Sequence, residues 1–314
     1  MVQYFKTDNG KLTEMEGPAS PGMWIKLTDP TSEEAKMVAD AIGADLVDVL
    51  AAQDDDESSR IELQDGYTLI LVDIPTKEIR QEETYYNTIP LGIILTQDLI
   101  VSVCSEDTQI LTYFQTNPVR EFSTKKKLRF LYQILLRASM QYQACLRVID
   151  HRRNEIEERI NKETKESDLI ALHQLESNLV YFATSLGANK NVIDRLTRYK
   201  RLKQYPEDQE LLDDVIVENN QAIEMTAIYH DIINGTRELM STVIDNRLNN
   251  VMKILTSVTL VMAIPTIISG LYGMNVNGVG MPLADHPHGF GIICFLTTIV
   301  CIIIMWYLHK KNML

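Results

Sequence analysis

Asn249, Met252, Thr256, Thr259, Ala263, Thr266, Gly270 and Gly273 recur alternately three and four positions apart. On a helix that spacing gathers them into one stripe. The stripe carries hydroxyl and amide oxygens with little bulk between them, and hydroxyls that face water are what the wall of a pore presents. The same stripe would also let helix backbones approach closely in lipid, where small residues and threonine favour packing. The spacing leaves both uses open. At the other extreme of polarity, Met252 with Leu255 beside it would make an apolar constriction able to close by dewetting. Ser257 and Ser269 fall off the stripe, and each can bond back to a carbonyl one turn earlier.

The element that positions the stripe is long and apolar. From Ile254 to Tyr272 there is no charged residue, which is enough helix to cross a hydrocarbon core of about 30 Å. Ile254, Val258, Val261, Ile264, Ile268 and Leu271 form the rest of its surface and suit lipid or another apolar helix. A second uncharged run spans Phe290 to Leu308. Arg247 and Lys253 flank the first span, and His309, Lys310 and Lys311 follow the second, whereas the connecting segment from Val276 to Gly289 has no Lys or Arg. By the positive-inside rule both termini are cytoplasmic and the connecting loop is outside. The mean hydropathy of the whole chain looks soluble only because it averages a polar N-terminal part with this tail.

The span ends in Tyr272-Gly273-Met274-Asn275 and is followed by a short loop and the second span. Here the sequence resembles the CorA family of divalent-cation channels, whose signature is a Gly-Met-Asn triplet at the outer end of the first of two C-terminal membrane helices. Met252-Lys253-Ile254-Leu255-Thr256 is similar to the family's inner end of that helix. The resemblance implies a homopentamer, funnel-shaped, in which Asn275 and the carbonyls of Gly273 and Met274 form a selectivity ring. Mg²⁺ loses its water reluctantly, so a surface of amide and carbonyl oxygens that accepts the hydrated ion suits it. Below the ring, Thr266, Thr259 and Thr256 would line the pore and Asn249 its cytoplasmic mouth. The resemblance further implies regulation by cytoplasmic Mg²⁺ held between subunits, with Asp214, next to Asp213, at the stalk ligand position and Asp73 or Glu78 as its partner from the neighbouring chain. Three departures stand out. Ala263 falls where the family often has Met, and Leu283 rather than an acid follows Met281-Pro282. Asp285, His286 and His288 lie in the outer loop, where the GMN-V-N-G stretch resembles the zinc-transporting ZntB branch; imidazoles suit Zn²⁺, Ni²⁺ or Co²⁺ better than Mg²⁺.

The polar part of the chain divides at about residue 120. Residues 1–120 alternate strand and helix signals and predict an α/β domain with a mixed sheet and helices packed on it. Met23 to Leu27 reads as a strand, Pro30-Thr31-Ser32-Glu33-Glu34 as a capped helix start, and the apolar run Tyr67 to Ile74 as a strand covered on both faces. Thr88 to Thr96 and Leu99 to Cys104 read as a hairpin. Asp54-Asp55-Asp56-Glu57 reads as a solvated loop. Residues 121–250 are helical: one helix opens near Leu128 and runs to about Lys162, a second runs from about Ser167 to Lys200, and both carry charges that read as a solvated face. From Tyr205-Pro206-Glu207-Asp208, a helix start with acids in its first turn, the apolar period continues through Asn234-Gly235 to Tyr272. One helix of that length spans on the order of 100 Å, so it forms a stalk into the pore domain, residues 251–314.

Charge and motifs exclude several classes. The net charge is −13 over 314 residues, which disfavours nucleic acid as a partner. Cys104, Cys145, Cys294 and Cys301 contain no CxxC pair, two lie in the second span, and a reducing compartment fits them. The N-terminus has no apolar run that would read as a cleavable signal. GxxxxGK[ST], GxSxG and HExxH are absent, so neither a nucleotide nor an enzymatic reaction is expected. The expected function is potential-driven uptake of Mg²⁺ across the cell membrane by a self-associated, lipid-embedded channel. Transport of Zn²⁺, Co²⁺ or Ni²⁺ is the alternative within the same fold. A two-span signalling or scaffold protein is the distant one, and it gives no reason for Asn275 at the mouth of a polar stripe.

Overall fold

A computed structural model describes residues 1–8, 10–80, 83–160, 165–198, 206–275, 281–283, 286–311 and 313. Seven strands form one sheet: β1 (Val2–Asp8), β2 (Lys11–Met15), β3 (Met23–Thr28), β4 (Arg60–Leu63), β5 (Tyr67–Arg80), β6 (Glu83–Thr96) and β7 (Ile100–Cys104). Their order in space is β2-β1-β3-β7-β6-β5-β4, with β3 and β7 parallel and the other neighbours antiparallel. Helices α1 (Ser32–Ile42), α2 (Leu46–Leu50), α3 (Gln109–Thr116), α4 (Lys127–Ile160), α5 (Glu166–Arg198), α6 (Pro206–Tyr272) and α7 (Gly289–Lys310) complete the fold.

Alternating side chains serve two cores. Trp24, Ile70, Val72, Leu91 and Ile100 pack with α3, α4, α5 and the first turns of α6, while Ile25, Leu27, Leu69, Leu71 and Val101 pack under α1 and α2. A strand buried on both faces reads as a continuous apolar run, which is why Tyr67 to Ile74 does. Within the first core the Trp24 indole donates to the Ser102 hydroxyl at 2.8 Å, so its one polar atom is satisfied in the interior. Thr31 caps α1 in a capping box with Glu34, and Gly43 closes that helix in the left-handed region at φ 69°. The acidic run at 54–57 is a surface turn before β4.

Two expectations are corrected here. β5 and β6 are each 14 residues long, well past Ile74 and well before Thr88, although Pro75 and Pro90 would be expected to stop a central strand. The register explains their tolerance: β5 pairs with β4 only as far as Leu71, and β6 pairs with β7 only from Leu91 onward. Each proline thus lies where its strand has a partner on one side alone, and no ladder bond is lost. Secondly, the charges of α4 are not all a solvated face. Arg153 is only 8% exposed and pairs with Asp150 and Glu157, and Arg152 donates to the Thr84 carbonyl at 2.7 Å, holding the extended β6 arm.

Burial pushes the thiols of Cys104 and Cys145 up to about 11. A rise of that size from 9.0 leaves about a hundredfold less thiolate near neutral pH, and thiolate is the reactive form. Maleimide labelling of the folded protein is therefore expected to leave both unmodified on a timescale that fully labels the urea-unfolded chain. Equal rates in the two states would contradict the burial.

The chain divides into two compact units, Met1–Arg237 and Glu238–Leu314. The sheet and α1 to α5 belong to the first and α7 to the second, while α6 is a single helix that contributes to both. Asn234-Gly235 does not interrupt it. The Asn234 side chain is held along the helix by the His230 ring at 3.2 Å and by Arg237 at 3.0 Å, and so is not available to cap a terminus.

Candidate functional site

The second unit is built on the C-terminal part of α6, and α7 meets one side of it at Val261. Ser257 is fully buried and donates to the Met313 carbonyl at 2.9 Å, while Val261, Ile264 and Ile268 are half-buried. At about 100° per residue these four lie on one side of the helix, and Met252, Thr259, Thr266 and Gly270 project about half a turn away. The stripe residues Asn249, Met252, Thr256, Thr259, Thr266 and Gly270 are exposed, as is Leu255 beside them, and Ala263 is half-exposed. Within one chain, therefore, the small and polar stripe is not the packing face for the second span.

Hydrogen bonding sets what this stripe presents. Thr259 donates its hydroxyl to the Leu255 carbonyl at 2.8 Å and Thr266 to Met262 at 2.9 Å. Because each hydroxyl proton is used inside the helix, the outward lone pairs can only accept. An acceptor-only wall favours cations and the protons of their water shells. Ser269 makes the same internal bond, to Pro265 at 2.7 Å, whereas Ser257 turns to the Met313 carbonyl.

Pro265 is a feature that the spacing argument passed over. It has no N–H for the carbonyl of Val261, and the Cys301 thiol from α7 reaches that carbonyl at 3.9 Å. A proline inside an apolar span always implies an orphan acceptor four residues earlier. That signal was available in the sequence, but the identity of the donor was not.

At the end of α6, the Gly273 amide donates to Ser269 at 2.9 Å and the Met274 amide to Leu271 at 3.4 Å, leaving Met274 and Asn275 exposed beyond the last turn. A Cβ at position 273 would meet the Ser269 carbonyl at 3.0 Å, so glycine keeps the turn tight. The Tyr272 hydroxyl donates to the Pro282 carbonyl at 2.9 Å and ties the loop between the two apolar helices to the end of α6. On the far side of that loop, Leu283 adopts φ 62°, and its carbonyl would lie 2.1 Å from any Cβ at Gly289. Asp285 lies outside the described residues, as do 276–280. The His288 backbone N–H donates to His286 Nδ1 at 3.2 Å, and the two ring centroids are 6.2 Å apart. His286 Nδ1 is therefore already engaged as an acceptor, and Nε2 is the nitrogen left for other partners.

The candidate regulatory carboxylates are spread over the first unit. Asp213 and Asp214 are exposed on the first turns of α6, with Gln209 donating to Asp213 at 3.4 Å. Asp214 shares a cavity of about 640 Å³ with Glu210, Arg129 and Arg137. Asp73 sits on β5 against its own α5: Asn189 accepts from the Asp73 N–H at 2.8 Å and donates to its carbonyl at 2.7 Å. Burial raises the Asp73 carboxyl above the usual range, opposed by the nearby hydroxyls of Ser185 and Ser59. Glu78 is farther along β5, opposite Tyr85 in the ladder. Among the described residues of one chain, no three His, Cys, Asp or Glu side chains converge on a metal position.

A mixed sheet between helical layers, followed by two helices long and apolar enough to cross a membrane, is the architecture of a two-span membrane protein. Residues 21–310 match the family described as CorA-like Mg2+ transporter protein, and the chain belongs to that family. It is 28% identical over 298 residues to the cobalt/magnesium transport protein CorA of Methanocaldococcus jannaschii, covering 92% of this chain and 90% of that one. It is 24% identical to the protein of the same name from Thermotoga maritima, covering 81% of this chain and 72% of that one. The complete structure of the M. jannaschii CorA magnesium transporter superposes with a TM-score of 0.82 at 25% identity, over 98% of this chain and 96% of that one.

Proposed function

We propose that this protein is a homopentameric channel that takes up Mg²⁺, with α6 lining the pore, Gly273, Met274 and Asn275 forming the filter, and cytoplasmic Mg²⁺ closing it. The observation that carries the reading is the acceptor-only stripe of Thr259 and Thr266, turned away from the chain's own second span. A stripe made for packing on α7 would face α7. Turned the other way, it meets the same stripe of other copies around a central axis, and their oxygens face a shared aqueous path. A divalent cation moving inward at 100 mV gains about 4.6 kcal/mol, twice the value for one charge. With both termini cytoplasmic, that gradient is sufficient to drive uptake.

Closure is assigned to Asp213 and Asp214 at the base of α6, with ligands completed by a neighbouring subunit. Asp73 faces its own α5 and is the weaker partner; Glu78 is the other β5 candidate. Replacing both stalk acids, Asp213→Asn with Asp214→Asn, is expected to raise the internal Mg²⁺ needed for half-closure by about tenfold, the loss of one charge-assisted contact of about 1.5 kcal/mol. Stopped-flow flux at set internal Mg²⁺ reads this directly. An unchanged closing curve would assign the sensor elsewhere.

Transition-metal transport is the second reading, supported by the adjacent imidazoles of His286 and His288. Uptake into inside-negative proteoliposomes, comparing Mg²⁺, Co²⁺, Ni²⁺ and Zn²⁺ for the wild type and His286→Ala/His288→Ala, separates the two. The expected result is Mg²⁺ flux indifferent to the histidines. Zn²⁺ flux that falls with them, with little Mg²⁺ flux, would move the protein to the zinc branch.

A further inference from the structure

We infer that the inner end of the two spans carries a binding surface for anionic phospholipid headgroups, built from Lys253, Lys310 and Lys311. The inference rests on the membrane reading above but not on which ion is carried. Its geometry comes from the tail. The Lys311 amide donates to the Tyr307 and Leu308 carbonyls, each at 3.1 Å, and the Met313 amide returns to Leu308 at 3.1 Å. That turn brings the Met313 carbonyl to the buried Ser257 hydroxyl at 2.9 Å. Lys253 is one helical turn before Ser257, and residues four apart share a helix side. The fold thus sets Lys253 on the side of α6 that receives the tail, one turn from the Ser257–Met313 contact, and Lys253, Lys310 and Lys311 are all exposed.

Charge and exposure select the partner. Between Asn246 and the second span the acids reduce to Asp285, on the outer loop, while the inner flanks hold Arg247, Lys253, Lys310 and Lys311. The first acids met on going back along α6 are Asp245 and Glu238, two or more turns before Lys253. Immediately around the lysines the surface is apolar and aromatic. Trp306 is 63% exposed with the Lys310 ammonium 5.4 Å from its ring, and Tyr307 is 55% exposed. Exposed Trp and Tyr at a span end sit at headgroup depth. Lysine stems lie along apolar surface and carry their ammonium groups to the interface, where the available anion is the lipid phosphodiester. An acidic soluble partner would be faced with this apolar belt, whereas a phospholipid satisfies belt and charge together.

The test uses the full chain reconstituted in phosphatidylcholine vesicles containing a minority of phosphatidylglycerol, then extracted in mild detergent, with retained lipid counted by native mass spectrometry. Each lysine near an anionic surface supplies about a fivefold preference. Wild type is therefore expected to retain phosphatidylglycerol at least about fivefold above its bulk proportion, with the excess shrinking as salt is raised before extraction. Lys253→Gln/Lys310→Gln/Lys311→Gln should fall to the bulk proportion and the corresponding triple arginine variant should not. Wild-type retention at the bulk proportion, at any salt, overturns the inference without reference to any variant. So does displacement of the retained lipid by millimolar inorganic phosphate, which would assign the cluster to a soluble anion. Loss of cation flux with phosphatidylglycerol retention intact would count against the transport reading alone, and exclusion of the wild type from vesicles against the membrane reading.

Discussion

Asn275→Ala is expected to lower Mg²⁺ flux into proteoliposomes by about tenfold or more without changing the oligomer seen by size exclusion. The side chain lies exposed just past the last turn of α6, where the Gly273 and Met274 amides are already bonded back to Ser269 and Leu271. Among the described residues the helix end is closed without the Asn275 amide, so its removal is not expected to disturb the helix. On the proposed channel reading, what is lost is one neutral oxygen per subunit directed at an arriving hydrated ion. A contact of that kind to a charged species contributes about 1.5–3 kcal/mol, and the lower figure is already about tenfold in rate. Asn275→Asp makes the complementary point, because a ring of carboxylates would hold Mg²⁺ rather than pass it and should also reduce flux. Undiminished flux through the alanine variant would remove Asn275 from the filter.

The parts of the fold that were legible in the sequence are those whose signal is local and repeated. The apolar period of α6 runs through Asn234-Gly235, and the structure keeps one helix from Pro206 to Tyr272 because tertiary packing outweighs a cost of about 1 kcal/mol for one glycine. The Thr31 cap and the doubly buried strand at Tyr67 to Ile74 were readable for the same reason. The β1–β2 hairpin was not. Its outer strand Lys11–Met15 is mostly exposed and polar, so it lacks the apolar alternation that marks a strand. Nor could the parallel pairing of β3 with β7 be seen, since it joins Trp24 to Ile100 across the intervening helices and strands.

The candidate site divides along the same line. The stripe from Asn249 to Gly273 is a helical repeat, and its spacing alone shows that the residues share a side. The direction of that side depends on α7, which meets Val261 from 40 positions away, and on Met313 beyond it, which meets Ser257 from 56 positions away. Asp73 shows the part that depends on distant residues. The sequence marks it only as a lone acid in an apolar strand, whereas the hydroxyls that face its carboxyl come from Ser59 and from Ser185 on α5. A carboxylate's partners are a property of the packed fold, and nothing in the residues next to Asp73 encodes them.

Thr259→Val/Thr266→Val separates a water-lined stripe from a packing stripe more sharply than any other change. Valine matches threonine in shape, so a stripe that only packs would keep its fit and, with no hydroxyls to satisfy, would lose little stability. In an aqueous path the same change replaces two acceptor oxygens per subunit, held outward by their bonds to Leu255 and Met262, with methyl groups. The stretch between Met252 and Gly270, already containing Ala263, would then be apolar along most of its length. Narrow apolar pores empty of water, and a hydrated divalent ion that must cross one loses the oxygens that replace its shell. Mg²⁺ flux is expected to fall by about a hundredfold, at about 1.4 kcal/mol for each of the two lost layers, while the thermal stability of the detergent-solubilised protein stays within a few degrees of wild type. The restoring control is Thr259→Ser/Thr266→Ser, which keeps the hydroxyls and should keep most of the flux. Equal flux in the valine and serine variants would return the stripe to helix packing and place the conducting path somewhere other than this face of α6.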